Sequence, residues 1–320
     1  MELHSDVDFG TTGLVVSNLS LGTSNWGPLR PGETPAERDF RIAALADRFF
    51  EGELGITSID TSNLYGGSLS EGLLGDAIRR AGGVPSGIFL QTKLDRRITD
   101  GDFSGEQMWR SLNESLQRLG LERIAVLYLH DPEVIGFEAA MAPGGPAEAL
   151  FRMKDEGLAE RVGISGGPVG MLRDFVETGR FDALVTHNRW TLLDRSADGL
   201  LDAASRLGMG ITNAAPYGGG VLTGDRRFAD SYGYRPIRPE IRGALDAMRE
   251  LCGQVGVSLP AAALQFSLRD SRIHSTIVGA SDLDRYGETL AHVHERIPEE
   301  LWARLDGVAP PASSALDTDE

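Results

Sequence analysis

GITSIDTSNLYGG (residues 55–67), GIFLQTKLD (87–95) and IAVLYLHDPE (124–133) decide the fold of this chain. In each, an apolar run of strand length ends in ionisable residues: Asp60 and Tyr65, then Lys93, then His130. A continuous apolar run such as residues 124–129 reads as a strand buried on both faces, the pattern of a parallel sheet covered by helices. When such strands alternate with helices and close into a barrel, their C-terminal ends open on one face, and polar side chains there serve chemistry. Singly, each residue has a plainer reading. Tyr65 beside Gly66 and Gly67 suits a turn, Lys93 and Asp95 a solvated strand end, and His130 before Asp131 and Pro132 a loop hydrogen bond. Their recurrence at three successive strand ends favours the functional reading.

An acid, a phenol, an amine and an imidazole at one mouth form a proton-transfer group. A free tyrosine, with a pKa of ~10, is a poor acid at neutral pH. A neighbouring ammonium favours the phenolate, and a carboxylate can hold that ammonium in place. The expected roles are Tyr65 as acid/base, Lys93 as the group lowering its pKa, Asp60 as the anchor of Lys93, and His130 as the group orienting a carbonyl.

Strand-like and helix-like runs alternate outward from these segments. LSLGTS (19–24), RVGIS (161–165), FDALVTHN (181–188), MGITNAAP (209–216) and STIVGAS (275–281) supply five more strands, making eight strand–helix units. No unit can bury its own apolar face, and closing the ring solves this and removes the sheet edges. The expected architecture is an α/β fold, a (β/α)8 TIM barrel. VDFGTTGLVVSN (7–18) reads as a β-hairpin capping its bottom, and PEELWARLDGV (298–308) as an additional C-terminal helix. No composition break divides residues 1–320, so one barrel domain is expected, with 310–320 as a flexible tail. Residues 218–240, rich in Gly, Arg and Tyr, form a long loop of the kind that is functional or mobile.

The formal net charge of −16 opposes general binding to nucleic acid or to an anionic membrane. One cysteine, Cys252, excludes an internal disulfide framework and suits a reducing compartment. Residues 1–10 lack the basic start and apolar run of a signal peptide, and no stretch reaches the ~18 apolar residues of a membrane span. A cytoplasmic protein is expected, acting on a small molecule, with its oligomeric state open.

The chain as a whole resembles the aldo-keto reductases, NAD(P)-dependent barrel oxidoreductases. The likeness runs from LSLGTSNWG (19–27) to STIVGASDLDRY (275–286) and rests on IDTSNLYGG, QTKLD and YLHDPE occurring in order. THNRWTLLDR (186–195) and NAAPYGGGVLTG (213–224) are most similar to the aldose dehydrogenase branch, which acts on sugars such as L-fucose, L-galactose and D-threo-aldoses. The resemblance implies NAD or NADP bound across the barrel mouth, without a Rossmann fingerprint. It implies cofactor contacts from Gly22, Thr23 and Ser24 at the first strand end, and from Asp60.

Ser165 should meet the nicotinamide carboxamide. The family's next residue, Asn, is Gly166 here, and its Gln on the following strand is His187. The family's stacking aromatic is replaced around Ala214, Ala215 and Pro216, which leaves Tyr217 and Trp190 as candidates for that role. Gly218 and Gly219, with Gly220, would let backbone N–H groups approach a pyrophosphate. A Lys-Ser pair of NADP-binding relatives is Gly279 and Ala280 here. Ser281 and Arg285 remain for the adenosine end, with Asp282 and Asp284 disfavouring a phosphate. Trp26, Asn188 and Trp190 should line the substrate pocket with Tyr65 and His130. No metal is implied.

Two rival readings stand beside the enzyme. One is a nucleotide-binding regulatory subunit of the same fold with little turnover, like the potassium-channel β subunits. The other is an unrelated barrel enzyme using Lys93 as a Schiff base.

Overall fold

The computed structural model describes residues 5–319. A short hairpin, β1 (Asp6–Asp8) and β2 (Val15–Ser17), opens the chain, and β3 (Leu19–Gly22) begins the barrel. Then follow α1 (Pro35–Phe50), β4 (Ser58–Asp60), α2 (Leu69–Arg80), β5 (Phe89–Leu94), α3 (Gly105–Leu119) and β6 (Ile124–His130). After α4 (Phe137–Met141) and α5 (Pro146–Asp155) come β7 (Ala159–Gly166), α6 (Val169–Glu177), β8 (Ala183–His187), α7 (Asp198–Arg206) and β9 (Gly210–Ala214). A two-stranded ribbon, β10 (Ser231–Tyr232) and β11 (Arg235–Pro236), lies within the long loop. The chain continues through α8 (Pro239–Gln254), α9 (Leu259–Leu268), β12 (Ser275–Gly279), α10 (Leu283–His294) and α11 (Glu299–Gly307).

Eight parallel strands close in the order β12-β3-β4-β5-β6-β7-β8-β9, with Gly22 paired to both Gly279 and Asp60. This is the expected (β/α)8 TIM barrel. Local chemistry starts the helices where the ring needs them. Thr34 and Glu37 form a reciprocal capping box before α1, with Pro35 at the first turn. Ser104 caps α3, which stops at Gly120 in the left-handed conformation.

Period-2 alternation sorts the strand side chains. On β5, Gln91 points into the barrel toward Asp60 and Tyr128, while Thr92 points out to Glu71 on α2. The hairpin does cap the strands' N-terminal end. Phe9 is fully buried against Phe89, at a centroid separation of 5.2 Å, and Arg161 Nε donates to Thr12 O at 2.8 Å. Burying such a ring contributes about 2–3 kcal/mol. Gly10 makes the fit possible: its φ is +58°, and a Cβ there would lie 2.5 Å from Gly208 O.

The tail departs from expectation. Ser314, Ala315 and Leu316 are buried, Leu316 N donates to Asp194, and Asp317 accepts from Arg189 at 2.7 Å. A buried guanidinium needs an anion, and the tail supplies it. Cys252 is buried in α8. Among the described residues, no single helix is long and apolar enough to cross a membrane.

Candidate active site

The strand ends β4, β5 and β6 bring Asp60, Lys93 and His130 to one mouth, with Tyr65 entering from the loop after β4. Lys93 is almost fully buried. Its Nζ donates to Asp60 Oδ1 at 2.7 Å, to Oδ2 at 2.9 Å and to Thr61 O at 2.8 Å. Asp60 also accepts from Gln91 Nε2 at 2.8 Å, and Gln91 accepts from Tyr128. The pair is thus fully hydrogen-bonded, the condition under which a buried ion pair is tolerated. The Lys93 ammonium lies 4.6 Å from the centre of the Tyr65 ring, a cation–π contact.

Burial, together with the carboxylates of Asp60, Asp95 and Asp131, holds the Tyr65 phenol well above its ordinary value. Lys93 meets the phenol through the face of its ring, with the ammonium paired to Asp60.

His130 packs edge-to-face on Tyr65, centroids 5.8 Å apart. Its Nδ1 lies 2.7 Å from Asp95 Oδ1. Asp95 is itself buried, accepts from Ser62 Oγ, and accepts from Leu64 N at 3.1 Å. Burial raises the Asp95 carboxyl, but His130, Ser62 and the Leu64 N–H outweigh it and bring it below the ordinary carboxylate value. Asp95 is a site residue that its plain strand-end reading concealed. It stands two residues beyond Lys93 and shares that residue's inward face.

Glu133 is another. Gly166 has no side chain, and a Cβ there would lie 2.8 Å from Glu133 Oε2. Glu133 fills that space, with Oε1 accepting from Gly167 N at 3.2 Å and Oε2 buried without a donor. Burial and Asp131 raise its carboxyl above the ordinary value. Asp131, Glu133 and His187 hold their polar atoms within 4.8 Å of one another beside buried Ser165. Burial pushes His187 down to about 4, so it is neutral at pH 7.

Several expected contacts fall elsewhere. Trp26 is fully buried, with its indole N–H donating to Ala280 O at 2.8 Å, so it plugs the core and does not line a pocket. Trp190 packs on Phe266 of α9, under the Arg272 guanidinium, within the helix layer. Asn188 is fully enclosed, and its amide meets His187 Nδ1 at 3.0 Å; it supports the histidine instead of facing a substrate. Tyr217 turns toward His292 on α10, its hydroxyl 3.5 Å from Nδ1, so it does not stack over the mouth. The aromatic ring there is Tyr234, largely exposed on the long loop and 6.4 Å from the His187 ring.

Thr23 commits its buried hydroxyl to Thr61, whereas Ser24 is exposed. Gly218 and Gly220 have positive φ, and Cβ atoms on them would strike Tyr232 and Phe228. Packing of the loop's own rings thus already requires these glycines. Gly219, also at positive φ, has no contact closer than 3.5 Å. Ala215 is half-buried, also at positive φ, and Pro216 is buried beside it.

At the adenosine end, Asp282 caps α10 by accepting from Arg285 N at 2.8 Å and pairs with Arg30. Ser281 donates to Asp282, and its carbonyl accepts from Arg41. The Arg285 guanidinium pairs with Glu288 on its own helix at 2.8 Å, and Gly279 is exposed.

The model of the aldo/keto reductase family matches residues 18–310. The L-galactose dehydrogenase of Arabidopsis thaliana is 32% identical over 312 residues, covering 95% of this chain and 94% of that protein. The D-threo-aldose 1-dehydrogenase of Pseudomonas sp is 30% identical over 319 residues, covering 92% and 94%. The pyridoxal 4-dehydrogenase of Microbacterium luteolum is 27% identical over 333 residues, covering 92% and 95%. An aldo-keto reductase from Bacillus halodurans, solved in its holo form, superposes with a TM-score of 0.74 at 21% identity and covers 99% of each chain, a likeness of fold.

Proposed function

This chain belongs to the aldo/keto reductase family and is an NAD(P)-dependent oxidoreductase, and on that premise we propose that it acts as an aldose dehydrogenase or small-aldehyde reductase working at the Tyr65–His130 mouth. The observation that carries the reading is the meeting of Tyr65, the Lys93–Asp60 pair and the His130–Asp95 pair at the strands' C-terminal ends. All three relatives above are named as dehydrogenases, two of them of sugars. The bound nicotinamide supplies the hydride acceptor or donor. The chain's own groups hold the substrate oxygen: the Tyr65 hydroxyl as its acid/base partner and His130 beside it.

The residues at the mouth fit a nicotinamide. Glu133 Oε2 and Asp131 Oδ1 are buried acceptors without donors, and a carboxamide brings two N–H donors. Ser165 and neutral His187 complete that side, and Tyr234 supplies the aromatic cover. We assign NAD as the preferred form. A helix N-terminus is a natural seat for a phosphate. At α10 the Asp282 carboxylate already fills it, and Arg30 is neutralised by the same group.

A steady-state screen of aldoses and aldehydes with both nicotinamides tests the reading. Turnover with a sugar, lost in Tyr65→Phe, supports it, and absence of turnover with every sugar and aldehyde overturns it.

A further inference from the structure

Two carboxylate oxygens are buried on one side of the mouth without a donor: Glu133 Oε2 and Asp131 Oδ1. Both residues follow β6, and His187 ends β8 beside them. One ligand atom from each of the three lies within 4.8 Å of the other two. The nearby cations are committed elsewhere. Arg189 pairs with Asp317 at 2.7 Å, and Lys93 with Asp60 at 2.7 Å. The His130 imidazole comes only to 3.6 Å from Asp131 Oδ1, beyond a hydrogen bond.

Like charges enclosed together without a counter-charge are costly. Local geometry keeps these two in place. Gly166 vacates the space that Glu133 fills, and Gly167 N holds Glu133 Oε1 at 3.2 Å, which leaves Oε2 for a further partner. Asn188, fully enclosed, meets His187 Nδ1 through its amide at 3.0 Å, so Nε2 is the ring nitrogen left for a ligand. With Nε2 ligated, the ring hydrogen sits on Nδ1. The Asn188 amide, turned over, accepts that hydrogen through Oδ1, a buried atom that otherwise has no donor. Such an outer partner fixes the tautomer and orientation of a metal-binding histidine.

One imidazole and two carboxylates suit an open zinc site, with the remaining position left to water. The Asp131 side chain is 43% exposed and marks the open side. Zinc ligands at ~2.0–2.2 Å stand roughly 3.3 Å apart, so the three atoms need draw together by about 1.5 Å at most. The imidazole favours Zn²⁺ over Mg²⁺ and Ca²⁺, which take oxygen donors.

We propose that Asp131, Glu133 and His187 form a Zn²⁺-class cation site in the cofactor-free protein, and that cation and nicotinamide exclude one another there. The cation neutralises the two carboxylates, whereas the carboxamide satisfies the same acceptors with its N–H donors. The cation takes no part in hydride transfer and acts as an inhibitor of cofactor binding. The exclusion rests on the nicotinamide reading, and the cation site does not.

Calorimetry with ZnCl₂ on protein without cofactor should show one site per chain that is sensitive to Glu133→Gln and to His187→Gln. Each change should weaken it more than about tenfold, since losing even an outer partner costs ~10- to 100-fold. Both variants should fold. Glu133→Gln relieves a carboxylate without a counter-charge, and Gln is the residue that the family resemblance implies at position 187. Mg²⁺ in about tenfold excess should not displace Zn²⁺. Zn²⁺ at about ten times its Kd should raise the apparent Kd of NADH about tenfold in a fluorescence titration of the wild type, and leave that of Glu133→Gln unchanged. Zn²⁺ held equally by the wild type and both variants belongs to the acidic surface and overturns the site. A wild-type affinity for NADH that bound Zn²⁺ does not move overturns the exclusion. If the protein binds neither nicotinamide, the cofactor reading fails and takes the exclusion with it, and the calorimetry still decides the cation site.

Discussion

The Lys93 ammonium and the Asp60 carboxylate form a closed pair inside the barrel, both 1–2% exposed and joined by hydrogen bonds of 2.7 and 2.9 Å. The mouth's one buried lysine is therefore anchored first and available to Tyr65 second, through the face of the ring. Its removal leaves a carboxylate buried beside Gln91 without a counter-charge.

Lys93→Met should accordingly destabilise the protein by about 3–5 kcal/mol, the cost of breaking a buried pair from one side. Urea unfolding measures it. The double change Asp60→Leu with Lys93→Met should recover part of the loss. A single variant as stable as the wild type would mean that water reaches Asp60.

Tyr65→Phe should keep cofactor affinity within a few-fold and lower turnover by ~10²-fold or more, the scale of lost proton-transfer or hydrogen-bonding help at the reacting oxygen. Fluorescence titration and steady-state rates on one preparation separate the two effects. Equal loss of binding would place Tyr65 against the cofactor instead.

Asp282→Ser keeps an α10 cap and removes its negative charge. The NADP-to-NAD affinity ratio should rise about tenfold, since charge at a helix terminus is worth up to ~2 kcal/mol in partly buried sites. Arg30, freed of its partner, should contribute to the gain. An unchanged ratio would exclude this corner as the selector.

His187 predicts an acid sensitivity. Burial holds it at about 4 against an ordinary 6.5, so between those values the unfolded chain binds a proton that the fold refuses. Stability therefore falls as pH drops through that window. His130, raised, has the opposite sign: its contribution is full at low pH and lost as pH rises through its folded value. From about pH 7 to about pH 5, His187→Gln should lose roughly 1–2 kcal/mol less than the wild type in urea unfolding. Parallel losses would show that His187 is wetter than its surroundings indicate.

The architecture was legible because strand and helix periods alternate eight times. Asp60, Lys93 and His130 were legible because strand ends converge by geometry alone. Asp95 was available by the same logic, since period-2 alternation puts it on Lys93's face, but a lone acid at a strand end has an easy solvated reading. Glu133 was not available. Its carboxylate reaches the Gly166 gap from a short turn in which Asp131 takes a left-handed φ of 48°. Trp26, Trp190 and Tyr217 misled for one reason: an aromatic near a strand end faces the mouth or the helix layer according to tertiary partners such as Ala280, Phe266 and His292. The tail's docking depended on Arg189 and Asp194, more than a hundred positions away.

The seam between β3 and β12 closes the ring. Leu19 pairs with Thr276 and Gly22 with Gly279, and the Trp26 indole reaches Ala280 across 254 positions of chain. Contacts this distant in sequence carry the largest loop-closure cost in the ring. Until they form, the growing sheet presents two raw edges to any other chain in the same condition. The proposed nucleotide contacts lie on both banks of that seam, at Ser24 on one and Ser281 on the other. A cofactor that bound the folded barrel at those contacts would stabilise the closed ring by mass action, more so as its concentration rises above its dissociation constant.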